Sequence, residues 1–154
     1  MKRQKDGGKN NRHGTALVAG ETGILILGPS GSGKSRLALE FMQSAAVAGR
    51  FSALVADDQV LLDEFNGRLV AMAPEPIAGL LEIRGSAIVS VHHLPRAVIH
   101  MLVRIRADSE EERLPDPEEA LTLGSGISLP VLHMKPGTLP DPLILVDDFL
   151  QRGC

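Results

Sequence analysis

Residues 24–40 read ILILGPSGSGKSRLALE, and this stretch decides the fold. The apolar run Ile24–Leu27 leads into Gly28-Pro29-Ser30-Gly31-Ser32-Gly33-Lys34-Ser35, which matches the phosphate-binding pattern G-x-x-x-x-G-K-[ST] at every fixed position. With average Gly usage of about 7%, and roughly 6% Lys and 12% Ser plus Thr, chance produces such a match about four times in 100,000 start positions. Each fixed residue has a physical reason. Backbone N–H groups must approach a phosphate chain closely, which glycine permits, and the start of the following helix adds its positive end. Gly28, Ser30, Gly31, Ser32 and Gly33 are therefore read as the cradle. Lys34 is read as the point charge on the β- and γ-phosphates, and the Ser35 hydroxyl as a magnesium ligand. ATP and Mg2+ are the expected ligands.

The flanks agree with this reading. Upstream, Thr15–Ala19 and Ile24–Leu27 are apolar runs around Gly20-Glu21-Thr22-Gly23, which predicts a hairpin. Downstream, Leu37, Phe41 and Ala45 share one face, joined by Ala38 and Met42, and predict a helix from Lys34 to about Ala48 that stops at Gly49. Ser52–Ala56 reads as a buried strand ending in Asp57-Asp58, and Asn66-Gly67 as the turn of a second hairpin. Ala87–Val91 and the continuous run Ala97–Ile105 are further strand candidates. Residues 107–119, acidic with two prolines, read as a surface loop, and the Gly- and Pro-rich residues 124–142 as a long adaptable loop. The expected class is α/β: a P-loop nucleotide-binding fold with a mixed β-sheet and flanking helices.

Three acidic or basic groups follow the cradle. An acid at a strand end commonly orders the magnesium shell in P-loop proteins. Asp57 and Asp58 are adjacent and point to different sides of a strand, so one suits the metal and the other suits proton abstraction from a hydroxyl; a solvated turn is the plain alternative. Glu82 and Arg84 stand two apart beside Gly85, where they suit magnesium and the transferring phosphoryl, or equally a same-face salt bridge. A second acid pair, Asp147-Asp148, reads as a helix start or a surface pair.

Bulk properties narrow the partners. With 154 residues, one domain is expected: a disordered basic tail over residues 1–12, then a single domain over 13–154. The net charge is −3 and Trp and Tyr are absent, so neither a basic field nor an aromatic stacking platform draws the chain to nucleic acid. No run of 18 apolar residues predicts a membrane span. The one cysteine, Cys154, and the lack of an apolar stretch behind the basic N-terminus point to a reduced, cytoplasmic setting.

HGTALVAG, ILILGPSGSGKSRLALE, LVADDQV and LLEIRGSAIV occur in an order and spacing that resembles the catalytic domain of HPr kinase/phosphorylase, over roughly residues 13–139. That family comprises bacterial serine kinases acting on HPr, the phosphocarrier of the sugar phosphotransferase system, with a P-loop fold shared with phosphoenolpyruvate carboxykinase. The resemblance implies that His13 supports the catalytic acid, that Asp57 is that acid with Asp58 its partner, and that Ser35 and Glu82 contact magnesium. It places Arg84 and Gly85 in the family signature, and implies that Lys135-Pro136-Gly137 resembles a later segment that binds phosphate. The signature's usual Gly-Leu-Gly is replaced by Gly85-Ser86-Ala87, Arg36 stands where many members have an acid, and Lys135 replaces the usual arginine. Long members also carry an N-terminal domain, so the chain looks like the short alphaproteobacterial form that acts with a nitrogen-related phosphotransferase system. The implied assembly is a homo-oligomer, since the long relatives are hexamers. A small-molecule P-loop kinase, with Arg104, Arg106 and Arg113 as its lid, and a non-catalytic ATP-sensing module are the rival readings. The chain has no LSGGQ-like stretch and no NKxD, which argues against ABC-type ATPases and GTPases.

Overall fold

Strict alternation along the central strands sorts their side chains onto two faces, and that sorting fixes the layers. The computed structural model describes residues 11–74, 79–83, 85–106, 120–123, 126–135, 137 and 141–152. In chain order the elements are β1 (Asn11–His13), β2 (Thr15–Ala19), β3 (Thr22–Leu27), α1 (Lys34–Val47), β4 (Ser52–Ala56), β5 (Gln59–Phe65) and β6 (Arg68–Met72). Then follow β7 (Leu80–Ile83), β8 (Ala87–Ser90), β9 (Arg96–Ile99), β10 (Met101–Ile105), β11 (Ala120–Leu123), β12 (Ile127–Met134) and α2 (Pro142–Arg152).

A six-stranded sheet runs in the order β11-β12-β10-β3-β2-β4. It is mixed: β3, β10 and β12 are parallel, while β2, β4 and β11 pair antiparallel to their neighbours. Leu17, Ile24, Ile26, Met101 and Val103 face α1 and α2, where Leu37, Phe41, Leu143 and Val146 complete one apolar core. Ala16, Leu25, Leu27 and Leu102 face the other way, onto Val60, Leu62, Leu69, Ala71 and Ile99 in a second core. The latter residues belong to a four-stranded sheet, β1-β5-β6-β9, so the order of layers is helices, mixed sheet, antiparallel sheet. The hairpin β7–β8 stands as a separate two-stranded sheet.

Both expected hairpins form. Thr15–Ala19 pairs with Thr22–Leu27, and Asn66 (φ 52°) and Gly67 (φ 77°) make the tight turn between β5 and β6 with both central residues left-handed. Three expectations need correction. The run Ala97–Ile105 is not one strand: it breaks at His100, with β9 in the antiparallel sheet and β10 in the mixed sheet. His100 stabilises the break in both directions. Its N–H donates to the Gly23 carbonyl at 2.8 Å, and its Nδ1 accepts from the Gly23 N–H at 2.9 Å. Residues 127–134 are not loop but strand β12, held parallel to β10. Order begins by Asn11, ahead of His13, because β1 pairs with β5. Asp147 and Asp148 lie midway along α2 as a surface pair, one of the two readings the sequence offered: Asp147 pairs with Arg50 at 3.1 Å and Asp148 with Arg152 at 2.9 Å. The rest of the basic tail and residues 107–119 lie outside the described residues.

Candidate functional site

The loop between β3 and α1 sits at the C-terminal ends of the parallel strands, where open α/β sheets bind ligands. Gly33 (φ 104°) caps α1 and Gly31 (φ 78°) precedes it, so the chain turns into the helix N-terminus through conformations open to glycine. A cleft of about 550 Å³ gathers Ser30, Gly31, Gly33, Lys34 and Ser35 from this loop with Asp57, Asp58 and Glu82. Gly28 and Ser32 stand behind it: a Cβ on Gly28 would lie 2.7 Å from Ser32 Oγ and 3.1 Å from Ile105 Cβ.

Lys34 is 7% exposed, and its Nζ donates to the carbonyls of Gly28 at 3.0 Å and Pro29 at 3.1 Å. Burial pushes its ammonium below the ordinary lysine range, while the Asp58 and Asp57 carboxylates pull it back up in part. A phosphate chain over this group would add the counter-charge that burial makes valuable.

The two adjacent acids occupy different environments. Asp57 is 6% exposed. Its Oδ1 accepts from the Ser35 hydroxyl at 2.6 Å and the Thr15 hydroxyl at 2.8 Å, and its Oδ2 from the Glu82 N–H at 3.3 Å. Asp58 has the left-handed φ of 71°, which swings its side chain outward, and that side chain is 69% exposed. His13 Nδ1 lies 3.5 Å from Asp58 Oδ1. The resemblance places His13 behind Asp57; the structure puts it beside Asp58 instead. The reason is the β1–β5 pairing, which opposes His13 to Gln59, one residue beyond Asp58.

Glu82 sits on β7 and is exposed at the cleft. The strand ends at Ile83, so the same-face pairing of Glu82 with Arg84 expected from one long strand cannot be read there, and Arg84 lies outside the described residues. Lys135 follows β12 and does not line the cleft. Of the same late segment, the Gly137 N–H donates to Glu40 at 3.1 Å, and Arg36, next to Ser35, lines the cleft. Arg104 lies in β10 and Arg106 just beyond it, whereas Arg113 is outside the described residues.

Thr15 is a residue of the cleft, bonded to Asp57, that the sequence did not single out. It is fully buried, and the only local signal is a polar residue opening an apolar run. Thr15→Val keeps the shape and removes one of the donors on Asp57. It is expected to cost about 1–2 kcal/mol of stability by urea unfolding, and to weaken magnesium-dependent nucleotide binding.

The residues fit magnesium and a nucleotide. Magnesium prefers hard oxygen donors, keeps several waters and needs one or two carboxylates plus substrate phosphates. Ser35 and Asp57 provide a hydroxyl and a carboxylate in contact. Among the described residues no group of three or more His, Cys, Asp or Glu forms a metal cage. Among them also, no helix is long and apolar enough to cross a membrane.

Residues 7–131 match the HPr serine kinase C-terminal domain. The chain is 32% identical over 136 residues to HPr kinase/phosphorylase of Clostridium beijerinckii, covering 81% of this chain and 43% of that protein. It is 42% identical over 82 residues to HPr kinase/phosphorylase of Clostridium tetani, covering 53% of this chain and 25% of that one. The chain thus spans less than half the length of these curated relatives. The fold is similar to a structure of the Hpr(Ser) kinase/phosphatase from Coxiella burnetii, with a TM-score of 0.72 at 24% identity over 94% of this chain and 96% of that chain.

Proposed function

This chain belongs to the HPr serine kinase C-terminal domain family, and from that premise we propose that it transfers the terminal phosphoryl group of ATP to a serine hydroxyl of an HPr-type phosphocarrier. The observation that carries the reading is one cleft holding a P-loop, a buried carboxylate on the P-loop serine, and an exposed carboxylate beside a histidine.

The two acids divide the work by burial. Asp57 is saturated with donors and lies against Ser35, which suits it to the metal side of the site. Asp58 is open to an incoming hydroxyl and is steadied by His13, which suits it to proton transfer. This assigns the base to Asp58, where the resemblance implied Asp57 and the residues alone left the two roles open. The serine oxygen attacks the γ-phosphorus as its proton passes to Asp58, and the bond from that phosphorus to the β-γ bridging oxygen breaks, releasing ADP. Lys34 and the loop amides bind the phosphates and offset their charge. Magnesium, when bound, adds electrostatic stabilisation of the phosphoryl oxygens. Glu82 lines this cleft, and we assign it a metal contact; to Arg84, from its place in the family signature, we assign a phosphoryl contact. In the reverse direction, protonated Asp58 would return its proton to the serine oxygen as inorganic phosphate takes the phosphoryl group. The setting of this activity is the cytoplasm, with the chain in a homo-oligomer.

The test is direct. Purified protein, Mg-ATP and an HPr-type carrier are incubated and the carrier's intact mass is measured. Gain of one phosphate, abolished when the acceptor serine is replaced by alanine, is the expected result. An unchanged carrier mass with ATP still bound would sink the protein-kinase reading and favour a small-molecule acceptor or a sensor.

A further inference from the structure

Ser35 and Arg36 are neighbours at the start of α1, yet they reach opposite flanks of the P-loop. Ser35 bonds to Asp57, which follows β4 at one edge of the mixed sheet. Arg36 reaches toward Gly137, which follows β12 on the other side of β3. A Cβ on Gly137 would lie 2.6 Å from Arg36 Nη2, and Gly137 has φ +74°, so the absent side chain makes room for the guanidinium. Glu40 ties the two together: Oε2 accepts from Arg36 Nε at 3.1 Å and Oε1 from the Gly137 N–H at 3.1 Å. Glu40 thus holds Nε and Gly137 makes room for Nη2, which fixes the guanidinium plane of an arginine that lines the phosphate cleft; a guanidinium is the planar fork that matches phosphate oxygens.

We propose that Arg36 is a nucleotide-binding residue of this chain, contacting the phosphates on the nucleoside side of the donor, with Glu40 and Gly137 as its positioning residues. The proposal rests on the nucleotide reading of the cleft. The acids mark the transfer end, on the β4 side, so a cation on the β12 side meets the part of the phosphate chain that ATP and ADP share. It follows that Arg36 serves substrate and product alike.

Calorimetric titration with Mg-ADP and Mg-ATP tests this on the full chain. Arg36→Ala is expected to weaken both by about 10- to 100-fold and by the same factor. Arg36→Lys should recover only part of the loss, because lysine keeps the charge and loses the fork. Glu40→Gln should weaken binding less than Arg36→Ala. Gly137→Ala should weaken it in the wild-type background and much less in the Arg36→Ala background, since the clash is with the guanidinium; a non-additive cycle separates this from backbone strain. The side chain of Arg36 is 66% exposed, so its variants should keep the parent's melting temperature. Unchanged affinity for both nucleotides in Arg36→Ala overturns the proposal and leaves the kinase reading intact. Loss confined to Mg-ATP also overturns it, by placing Arg36 at the transferring phosphoryl. No binding of either nucleotide by the wild-type chain would remove the nucleotide reading itself, and the proposal with it.

Discussion

Asp58→Asn is expected to lower the rate of phosphoryl transfer to the carrier by about 10²- to 10⁴-fold, the range of a positioned general base, while Mg-ATP affinity stays near that of the wild type. Asp57→Asn is expected to behave differently, weakening magnesium-dependent nucleotide binding and lowering stability together. The contrast follows from the neighbours of each carboxylate. Asparagine at 57 turns one of the oxygens that accept from Ser35, Thr15 and the Glu82 N–H into an NH2 donor, so one buried donor must lose its acceptor. Asparagine at 58 disturbs little, because that side chain is 69% exposed and its neighbour is the equally exposed His13. Single-turnover transfer measured beside calorimetric Mg-ATP binding resolves the two variants. If Asp57→Asn keeps nucleotide affinity and loses transfer while Asp58→Asn stays active, the base is Asp57 and the division by burial is wrong. His13→Ala should follow Asp58→Asn with a smaller loss, because it supports that carboxylate without accepting the proton itself.

What could be read from the sequence is what local physics determines. The cradle, the helix behind it and both hairpins are contiguous in the chain, and their glycines, caps and periodicities act over a few residues. The Leu37, Phe41 and Ala45 face, the Asn66-Gly67 turn and the strand ending at Ala56 all form where periodicity puts them. The presence of acids beside the P-loop was legible too. Their division of labour was not, because the donors that bury Asp57 come from β2, α1 and β7, and the histidine beside Asp58 arrives through β1. Thr15 escaped notice for the same reason: its partner is 42 residues away. The segment 127–134 looked like loop since Pro130 interrupts it, yet the parallel pairing of β12 to β10 begins after that proline, at Val131. The pattern AVIHMLVRI gave no sign of its break, because both halves are apolar and carry β-branched residues while they serve different sheets.

That break leads to the largest stability effect expected in the molecule, at a position that reads as an ordinary turn glycine. Gly23 opens the P-loop strand, and a Cβ built on it would fall 1.8 Å from the Val98 carbonyl oxygen, 2.9 Å from its carbon and 3.2 Å from Ile99 Cα. All three are backbone atoms, so no rotamer change relieves the overlap. The backbone they belong to is the end of β9, pinned by the reciprocal hydrogen bonds between Gly23 and His100 just before β10 enters the mixed sheet. Gly23→Ala must therefore push the crossing apart, breaking those bonds and separating β3 from the antiparallel sheet it covers. The expected cost is about 3 kcal/mol or more, read as a lowered urea midpoint or as failure to accumulate folded protein. Gly67→Ala is the matched control. Nothing lies within 4 Å of a Cβ there, so only the left-handed φ of 77° is strained, for about 1–2 kcal/mol. The comparison separates conformational freedom from close approach as the reason for a glycine. Equal losses at the two positions would mean the β9 backbone yields easily, and that the chain crosses between its sheets less tightly than the Gly23–His100 contact implies.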